Sequence, residues 1–317
     1  MTENRQKAEF PKETNLQGEF VRQQSIFRRW VTADGSSDFP AQSGRYHLYV
    51  SLACPWAHRA NIFRKLKKLE NVISLSIVDP IRDNRGWRFT DNPGCIPDFP
   101  NGFKFLREAY EMTDPSFNGR VTVPVLWDKE KKMIVNNESS DIIRMFNSEF
   151  NAFTDSELDY YPPNHQEEID SLNNLIYHNI NNGVYKTGFA TTQEAYEIAF
   201  TNLFNTLEEL EEILGKHRFL IGNQITETDW RLFPTLVRFD AVYFGHFKCN
   251  KKRIVDYPNL WGYTRDLYQF PGIAETVNMD HIKRHYYITH NSINPTTIVP
   301  LGPEINFNIP HDRERFH

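Results

Sequence analysis

Cysteine is scarce in this chain. Three in 317 residues, Cys54, Cys95 and Cys249, are too few and odd in number for a disulfide framework, and such sparse use points to a reducing compartment, the cytoplasm. Long apolar runs are missing as well. No stretch reaches the roughly 18 residues of a membrane span, so no membrane partner is expected. Residues 1–10 are polar, so no secretory h-region is expected in them. Charge of one sign is not in excess: a net charge of −5 gives no electrostatic reason for nucleic acid as a partner. The basic cluster Arg64, Lys65, Lys67 and Lys68 reads as one solvated helix face. A P-loop, a G-x-G-x-x-G, a G-x-S-x-G and an H-E-x-x-H are all absent, which removes the nucleotide, hydrolase-elbow and zincin readings. His281, His285 and His290 lie near one another, but no cysteine or carboxylate completes a zinc spacing, and no metal is expected.

What is present fits two domains, the soft expectation for this length. Aromatics make up 14%, which suits large cores and the handling of flat ligands. Residues 1–44 are polar, contain Asp34-Gly35-Ser36-Ser37 and Pro40, and read as an irregular extension whose stretch Phe27-Arg28-Arg29-Trp30 is expected to pack onto the body. Regular structure is expected from residue 45. Leu48 and Val50 alternate with Tyr49 and Ser51 as in a strand, and Pro55 opens a helix to about Lys68 with Ile62, Leu66 and Leu69 inward. Residues 72–78 form a second strand. Residues 79–120 are a loop-rich insertion with a helix near 103–112, and such insertions are often functional. A hairpin over 121–135 and a helix from Glu138 follow. The order β-α-β, insertion, β-β-α over 45–150 matches a thioredoxin-like domain. From residue 160 the pattern turns helical: Ile169, Leu172, Ile176 and Ile180 share one face, and Ala199, Leu203, Leu207, Leu210 and Leu214 another. Thr226-Glu227-Thr228-Asp229 resembles a capping box, and Pro234 predicts a kink or early break in the helix behind it. The expected fold is α/β plus all-α, with an all-helical domain over 160–290 and a tail over 291–317.

Cys54 is the strongest candidate for chemistry. It sits between a strand and a proline-started helix, where unpaired backbone N–H groups and the helix dipole favour a thiolate. The motif is Cys54-Pro55-Trp56-Ala57, not C-x-x-C, so the second thiol of any exchange must come from solution, and glutathione is the obvious cytosolic one. A buried, inert cysteine is the alternative. Pro124, in its thioredoxin-like setting, is expected to be cis and to present the Val123 backbone to a peptide; an ordinary strand-start proline is the plainer reading. Glu138 and Ser139 open a helix and suit an amino group and a carboxylate, or simple capping. Trp87 and Arg120 flank the insertion and suit ligand contact, or packing. His58, one turn after Cys54, would touch the thiolate or be solvated. Cys95 and Cys249 read as passive.

These pieces together resemble a known family. A thioredoxin-like domain followed by helices with a Thr-x-x-Asp box is similar to a cytosolic glutathione transferase. Finer matches are residues 45–51 leading into Cys54-Pro55-Trp56-Ala57-His58-Arg59, residues 121–128, Asn136-Asn137-Glu138-Ser139, Asn181-Asn182-Gly183-Val184-Tyr185, Arg238-Phe239-Asp240-Ala241-Val242-Tyr243 and Asn294-Pro295. They resemble the Xi class, the S-glutathionyl-hydroquinone reductases, from about Phe20 to Pro303. The resemblance implies Cys54 as nucleophile and a glutathione site of Trp87, Arg120, Val121, Thr122, Val123, Glu138 and Ser139, with Val123 acting through its backbone. It implies Tyr185 as proton donor or acceptor, and Tyr243 and Tyr286 as residues that place an aromatic quinol thioether and favour the Cys54 thiolate. It also implies a homodimer. Two other readings stand beside it: a general thiol transferase or dehydroascorbate reductase, which would not need Tyr185, and a non-catalytic binding protein on the same fold.

Overall fold

The computed structural model describes residues 13–156 and 158–316. The described chain falls into two compact units that interleave along the sequence. Unit 1 takes Gln24–Leu158 and Glu275–Val299; unit 2 takes the described parts of Lys12–Gln23, Asp159–Ala274 and Pro300–His317.

Unit 1 begins with two short paired strands, β1 (Val31–Thr32) and β2 (Phe39–Pro40). Its centre is a four-stranded sheet of β3 (Tyr46–Val50), β4 (Ser74–Ile77), β5 (Val125–Asp128) and β6 (Met133–Asn136), in the order β4-β3-β5-β6. β3 and β4 are parallel; β3–β5 and β5–β6 are antiparallel. All five residues of β3 are buried, as a central strand covered on both faces requires. The crossover between β3 and β4 is helix α1 (Pro55–Leu66), which packs on helix α3 (Ser139–Ser148). The hairpin turn after β5 is held by the buried Asp128, which accepts from the Glu130 and Lys131 amides and pairs with Arg45 at 2.6 Å.

Several expectations need correction here. The hairpin's first strand begins at Val125, not Val121. Arg64 and Lys67 are buried rather than solvated: Arg64 donates to the carbonyls of Ile73 and Glu70, and Lys67 to that of Leu158. They tie the end of α1 to the turn that leads into β4 and to the chain at Leu158. The extension, by contrast, packs onto the body where residues 27–30 are expected to. The Arg29 amide donates to the Val135 carbonyl and the Asn137 amide to the Phe27 carbonyl, so residues 27–29 pair with the outer side of β6. An open sheet edge is thereby covered.

The insertion is built around the fully buried Asp79. Its carboxylate accepts from the Ile81 amide, Thr90 Oγ1 and Asn92 Nδ2 at 2.8–3.1 Å. Residues 87–89 pair with 104–106, and helix α2 (Arg107–Thr113) follows.

Unit 2 is helical. Helix α4 (Gln166–Ile176) runs into a π-helical turn, Tyr177–Asn181, and then helix α5 (Gly183–Phe189). Helix α6 (Gln193–Leu214) is a single long rod whose expected inner face, Ala199 to Leu214, is buried. Helix α7 (Glu227–Arg238) opens on the expected capping box: Asp229 accepts from the Thr226 and Leu220 amides and from the Tyr263 hydroxyl. The helix continues through Pro234, and a π-helical turn, Phe239–Tyr243, follows it; the expected break is not there. Helix α8 (Pro258–Gln269) completes unit 2, while helix α9 (Met279–Thr289) belongs to unit 1. Among the described residues no helix is long and apolar enough to cross a membrane.

Candidate active site

Cys54 is the N-cap residue of α1, with extended backbone angles and Pro55 at the first helical position. Proline suits that position because its fixed φ is helical and its missing N–H would have no helical partner. The Cys54 amide donates to the Ser51 carbonyl, and the His58 amide to the Cys54 carbonyl, so the turn is closed on both sides. The thiol is half-buried, and its Sγ lies 3.6 Å from the Val123 carbonyl oxygen. The Val123–Pro124 peptide is cis, as the sequence suggests. His58 is not solvated: it is buried, with Nε2 2.7 Å from Thr276 Oγ1.

The other cysteines have opposite surroundings. Burial pushes the Cys249 thiol far above its ordinary value. Burial also raises Cys95, against a smaller opposing effect of the Thr90 hydroxyl. Neither is arranged as a thiolate at neutral pH.

The segment carrying Val121, Thr122 and Val123 is fixed by a residue that sequence reasoning missed. Tyr110, from α2 in the insertion, is fully buried. Its hydroxyl donates to the Thr122 carbonyl at 2.8 Å, and accepts from the Thr122 amide at 3.1 Å and from Asn137 Nδ2 at 3.1 Å. One phenol therefore joins the Thr122 backbone to the residue before Glu138. Burial raises its pKa, so it stays protonated and can donate. Its spacing in the sequence carries no signal of this role.

Glu138 is the N-cap of α3. Its Oε1 accepts from the Ser140 amide at 3.1 Å, and its Oε2 from Ser25 Oγ at 3.0 Å. The capping role is thus real, and the extension helps hold the carboxylate. Ser139 is buried at the start of the same helix. Arg120 is half-buried just before Val121. Trp87 is buried, with the Arg82 guanidinium 5.0 Å from its ring and the His285 ring stacked 5.0 Å away. Tyr286, beside His285 on α9, is buried too. All of these lie in unit 1.

Tyr185 and Tyr243 lie in unit 2. Tyr185 is half-buried on α5; Tyr243 is fully buried and closes the second π-helical turn. Their rings are 6.1 Å apart, and both adjoin Phe247 at about 5.5 Å. An aromatic cluster of this kind suits a flat ligand. Among the described residues no group of three or more His, Cys, Asp or Glu is arranged to hold a metal ion.

The arrangement can be set against known proteins. Residues 53–149 match the model of the glutathione S-transferase N-terminal domain, and residues 193–266 that of the C-terminal domain. The chain is 56% identical over 304 residues to the glutathionyl-hydroquinone reductase YqjG of Escherichia coli, covering 94% of this chain and 93% of the relative. The glutathione-bound structure of YqjG superposes with a TM-score of 0.89, over 91% of this chain and 96% of that one. The Xi glutathione transferase of Phanerochaete chrysosporium gives a TM-score of 0.91 at 48% identity, over 94% and 97% of the two chains. This chain belongs to the Xi-class glutathione transferases. The thioredoxin-like and helical domains expected from the sequence are the two domains of that family. In this Xi-class chain the thiol stands at the N-terminus of the first long helix, and two tyrosines stand in the helical unit.

Proposed function

We propose that this chain reduces S-glutathionyl-hydroquinones to hydroquinones at the expense of glutathione. The observation that carries the reading is Cys54 at the N-terminus of α1, with its Sγ beside the Val123 carbonyl and no second cysteine in the same turn. The relationship to a glutathionyl-hydroquinone reductase supports the choice of substrate.

Tyr185 supplies a proton to the ring carbon that carries sulfur while the conjugated ring hydroxyl gives up its own proton to solvent, giving a keto tautomer. The Cys54 thiolate attacks that sulfur. The carbon–sulfur bond breaks, and its electron pair returns to the ring as a phenolate oxygen anion, a far better leaving group than an aryl carbanion. The phenolate takes up a proton, and Cys54 is left in a mixed disulfide with glutathione. A second glutathione thiolate attacks this disulfide at the glutathionyl sulfur and releases glutathione disulfide and the Cys54 thiolate, and the proton that this glutathione gave up restores the Tyr185 phenol. The ring carbon is reduced, and two glutathione sulfurs are oxidised.

Within this reading Val123 pairs through its backbone with glutathione in the manner of an added strand. Trp87, Arg120, Val121, Thr122, Glu138 and Ser139 hold the rest of the tripeptide, while Tyr243 and Tyr286 place the quinol ring. The second step needs free glutathione, which suits the cytoplasm. A homodimer belongs to the same proposal, with sedimentation velocity as its check.

Steady-state rates with glutathionyl-menadiol, glutathionyl-hydroquinone and hydroxyethyl disulfide test the assignment. Cys54→Ser is expected to abolish all three activities. Tyr185→Phe is expected to depress the two quinol thioethers far more than the disulfide, whose sulfur leaving group needs no proton on carbon. Equal losses in Tyr185→Phe would favour a general thiol transferase, and quinol-thioether reduction by Cys54→Ser would overturn the mechanism.

A further inference from the structure

Part of the N-terminal extension packs within unit 2, and what it packs on is Tyr185. The segment is held by backbone contacts. The Thr191 amide donates to the Gly18 carbonyl at 3.0 Å, and Thr192 Oγ1 donates to the Gln17 carbonyl at 2.9 Å. Gly18 has φ +82°, and a Cβ there would lie 2.7 Å from Thr192 Cγ2, so the chain is seated closely and only glycine fits. Beyond it, the buried Phe20 stacks on Tyr185, with centroids 6.1 Å apart and 27° between planes, and on Phe189 at 5.6 Å. Arg22 follows. Its guanidinium carbon is 4.8 Å from the Tyr185 ring centroid and 5.3 Å from that of Phe20. Its Nε donates to Asn182 Oδ1 at 2.6 Å. Asn182 is itself the residue before α5, the helix that carries Tyr185. The cation is therefore tied to the same short helix as the phenol it faces.

We propose that Arg22 is a positioning residue for Tyr185 in the quinol half-reaction, fixing the phenol ring and stabilising the negative charge that the ring gains as its proton leaves. This role rests on Tyr185 being the proton donor. A cation near an aromatic ring is attracted by the ring's quadrupole. That attraction grows as the phenol turns into a phenolate, so the contact is stronger in the transition state than in the ground state, which is the condition for acceleration. Disulfide exchange at Cys54 makes no use of this proton. Arg22 thus affects one class of substrate and not the other.

The test is the ratio of glutathionyl-menadiol turnover to hydroxyethyl disulfide turnover. In Arg22→Gln the ratio should fall about tenfold, the size of a partly desolvated cation–π contact. In Arg22→Lys, which restores the cation, the ratio should recover most of that loss. In the Tyr185→Phe background, Arg22→Gln should lower the ratio no further, because the charge it stabilises no longer forms. An unchanged ratio in Arg22→Gln, equal loss of both activities, or a full additional loss in the Tyr185→Phe background would overturn the proposal while leaving Tyr185 in place. An unchanged ratio in Tyr185→Phe alone would overturn the reading of Tyr185 and the role of Arg22 with it.

Discussion

The Trp87 indole is stacked on the His285 imidazole, with 22° between their planes. The same imidazole places Nδ1 2.7 Å from the Pro80 carbonyl. A carbonyl oxygen only accepts, so Nδ1 carries the proton. One turn earlier on α9, His281 Nε2 makes a 2.9 Å bond to the Pro93 carbonyl. Two histidines at helical spacing thus pin both ends of the 80–93 loop that carries Trp87. With Trp87 in the proposed glutathione site, His285→Ala is expected to raise the KM for glutathione about three- to tenfold, the worth of an aromatic pair, with a smaller change in kcat. His285→Phe keeps a stacking partner and should recover most of that loss. Initial rates over a glutathione series measure both. An unaltered KM in His285→Ala would mean that Trp87 needs no such support.

The three thiols should separate sharply under alkylation. Cys54 caps a helix, and burial raises both Cys95 and Cys249. A brief iodoacetamide pulse near pH 7, followed by peptide mapping, is expected to label Cys54 almost alone. Its rate should reach half-maximum below pH 8.5, about where an ordinary thiol titrates. Prior treatment with glutathione disulfide should block the label. Labelling of Cys95 at a comparable rate would contradict the assignment of the nucleophile.

How much of this could be read in advance follows from how local each cause is. Cys54 was legible because Pro55 encodes the cap within one residue. The inner face of α6 was legible because its period is regular over six turns. The start of β5 was not: Val121, Thr122 and Val123 have strand-forming side chains, yet Thr122 bonds to Tyr110, which comes from a helix in the insertion, and Val123 accepts from Cys54. Arg64 and Lys67 read as solvent-facing because nothing near them in sequence shows that the carbonyls of Ile73 and Leu158 await donors. The π-helical turns before Tyr185 and up to Tyr243 break the 3.6-residue period on which helix reading depends. Long-range membership was hidden as well. Nothing periodic marks Phe20 and Arg22 as part of unit 2, or α9 as part of unit 1.

Stability should depend on pH through two buried histidines. His47, on β3, sits between Ser74 Oγ and Ser76 Oγ at 2.7 and 2.9 Å, and burial lowers its pKa to about 3. Burial lowers His246 to about 4. Each would titrate near 6.5 in the unfolded chain. Below that pH the unfolded state binds protons that the folded state refuses. Their contribution is therefore complete above about pH 6.5 and is lost as pH falls toward the folded values, by up to about 1.4 kcal/mol per pH unit for each group. His47→Gln, which can still bond to both serines, is expected to lose about 2 kcal/mol less between pH 6.5 and 5 than the unaltered chain. Urea midpoints at the two pH values give the difference. Equal losses would show that His47 is not neutral in the fold.

The end of the chain holds a load that its sequence does not announce. Arg313 is fully buried. Its Nη1 donates to the Leu214 carbonyl at 2.7 Å, and its Nη2 to the carbonyls of Arg218, at 2.9 Å, and His217. Leu214 is the last residue of α6, so one guanidinium serves the carbonyls that the helix end and its following turn leave without helical partners. Only a planar fork with several donors spans three acceptors in this way. Arg313→Ala would leave these carbonyls buried and bare. A loss on the order of 3–5 kcal/mol follows, since each unsatisfied buried acceptor costs about 1–3 kcal/mol. Thermal unfolding should shift down by roughly 5–8 °C. Arg313→Lys keeps the charge but reaches fewer carbonyls, and should fall between the two. The Arg313 guanidinium bonds to the carbonyls of Leu214, His217 and Arg218, none of them in the proposed site, so the ratio of quinol-thioether to disulfide turnover should hold in Arg313→Lys at temperatures below its transition. A midpoint within 1 °C of the unaltered chain in Arg313→Ala, about what a neutral surface change gives, would show that water replaces the guanidinium at no cost.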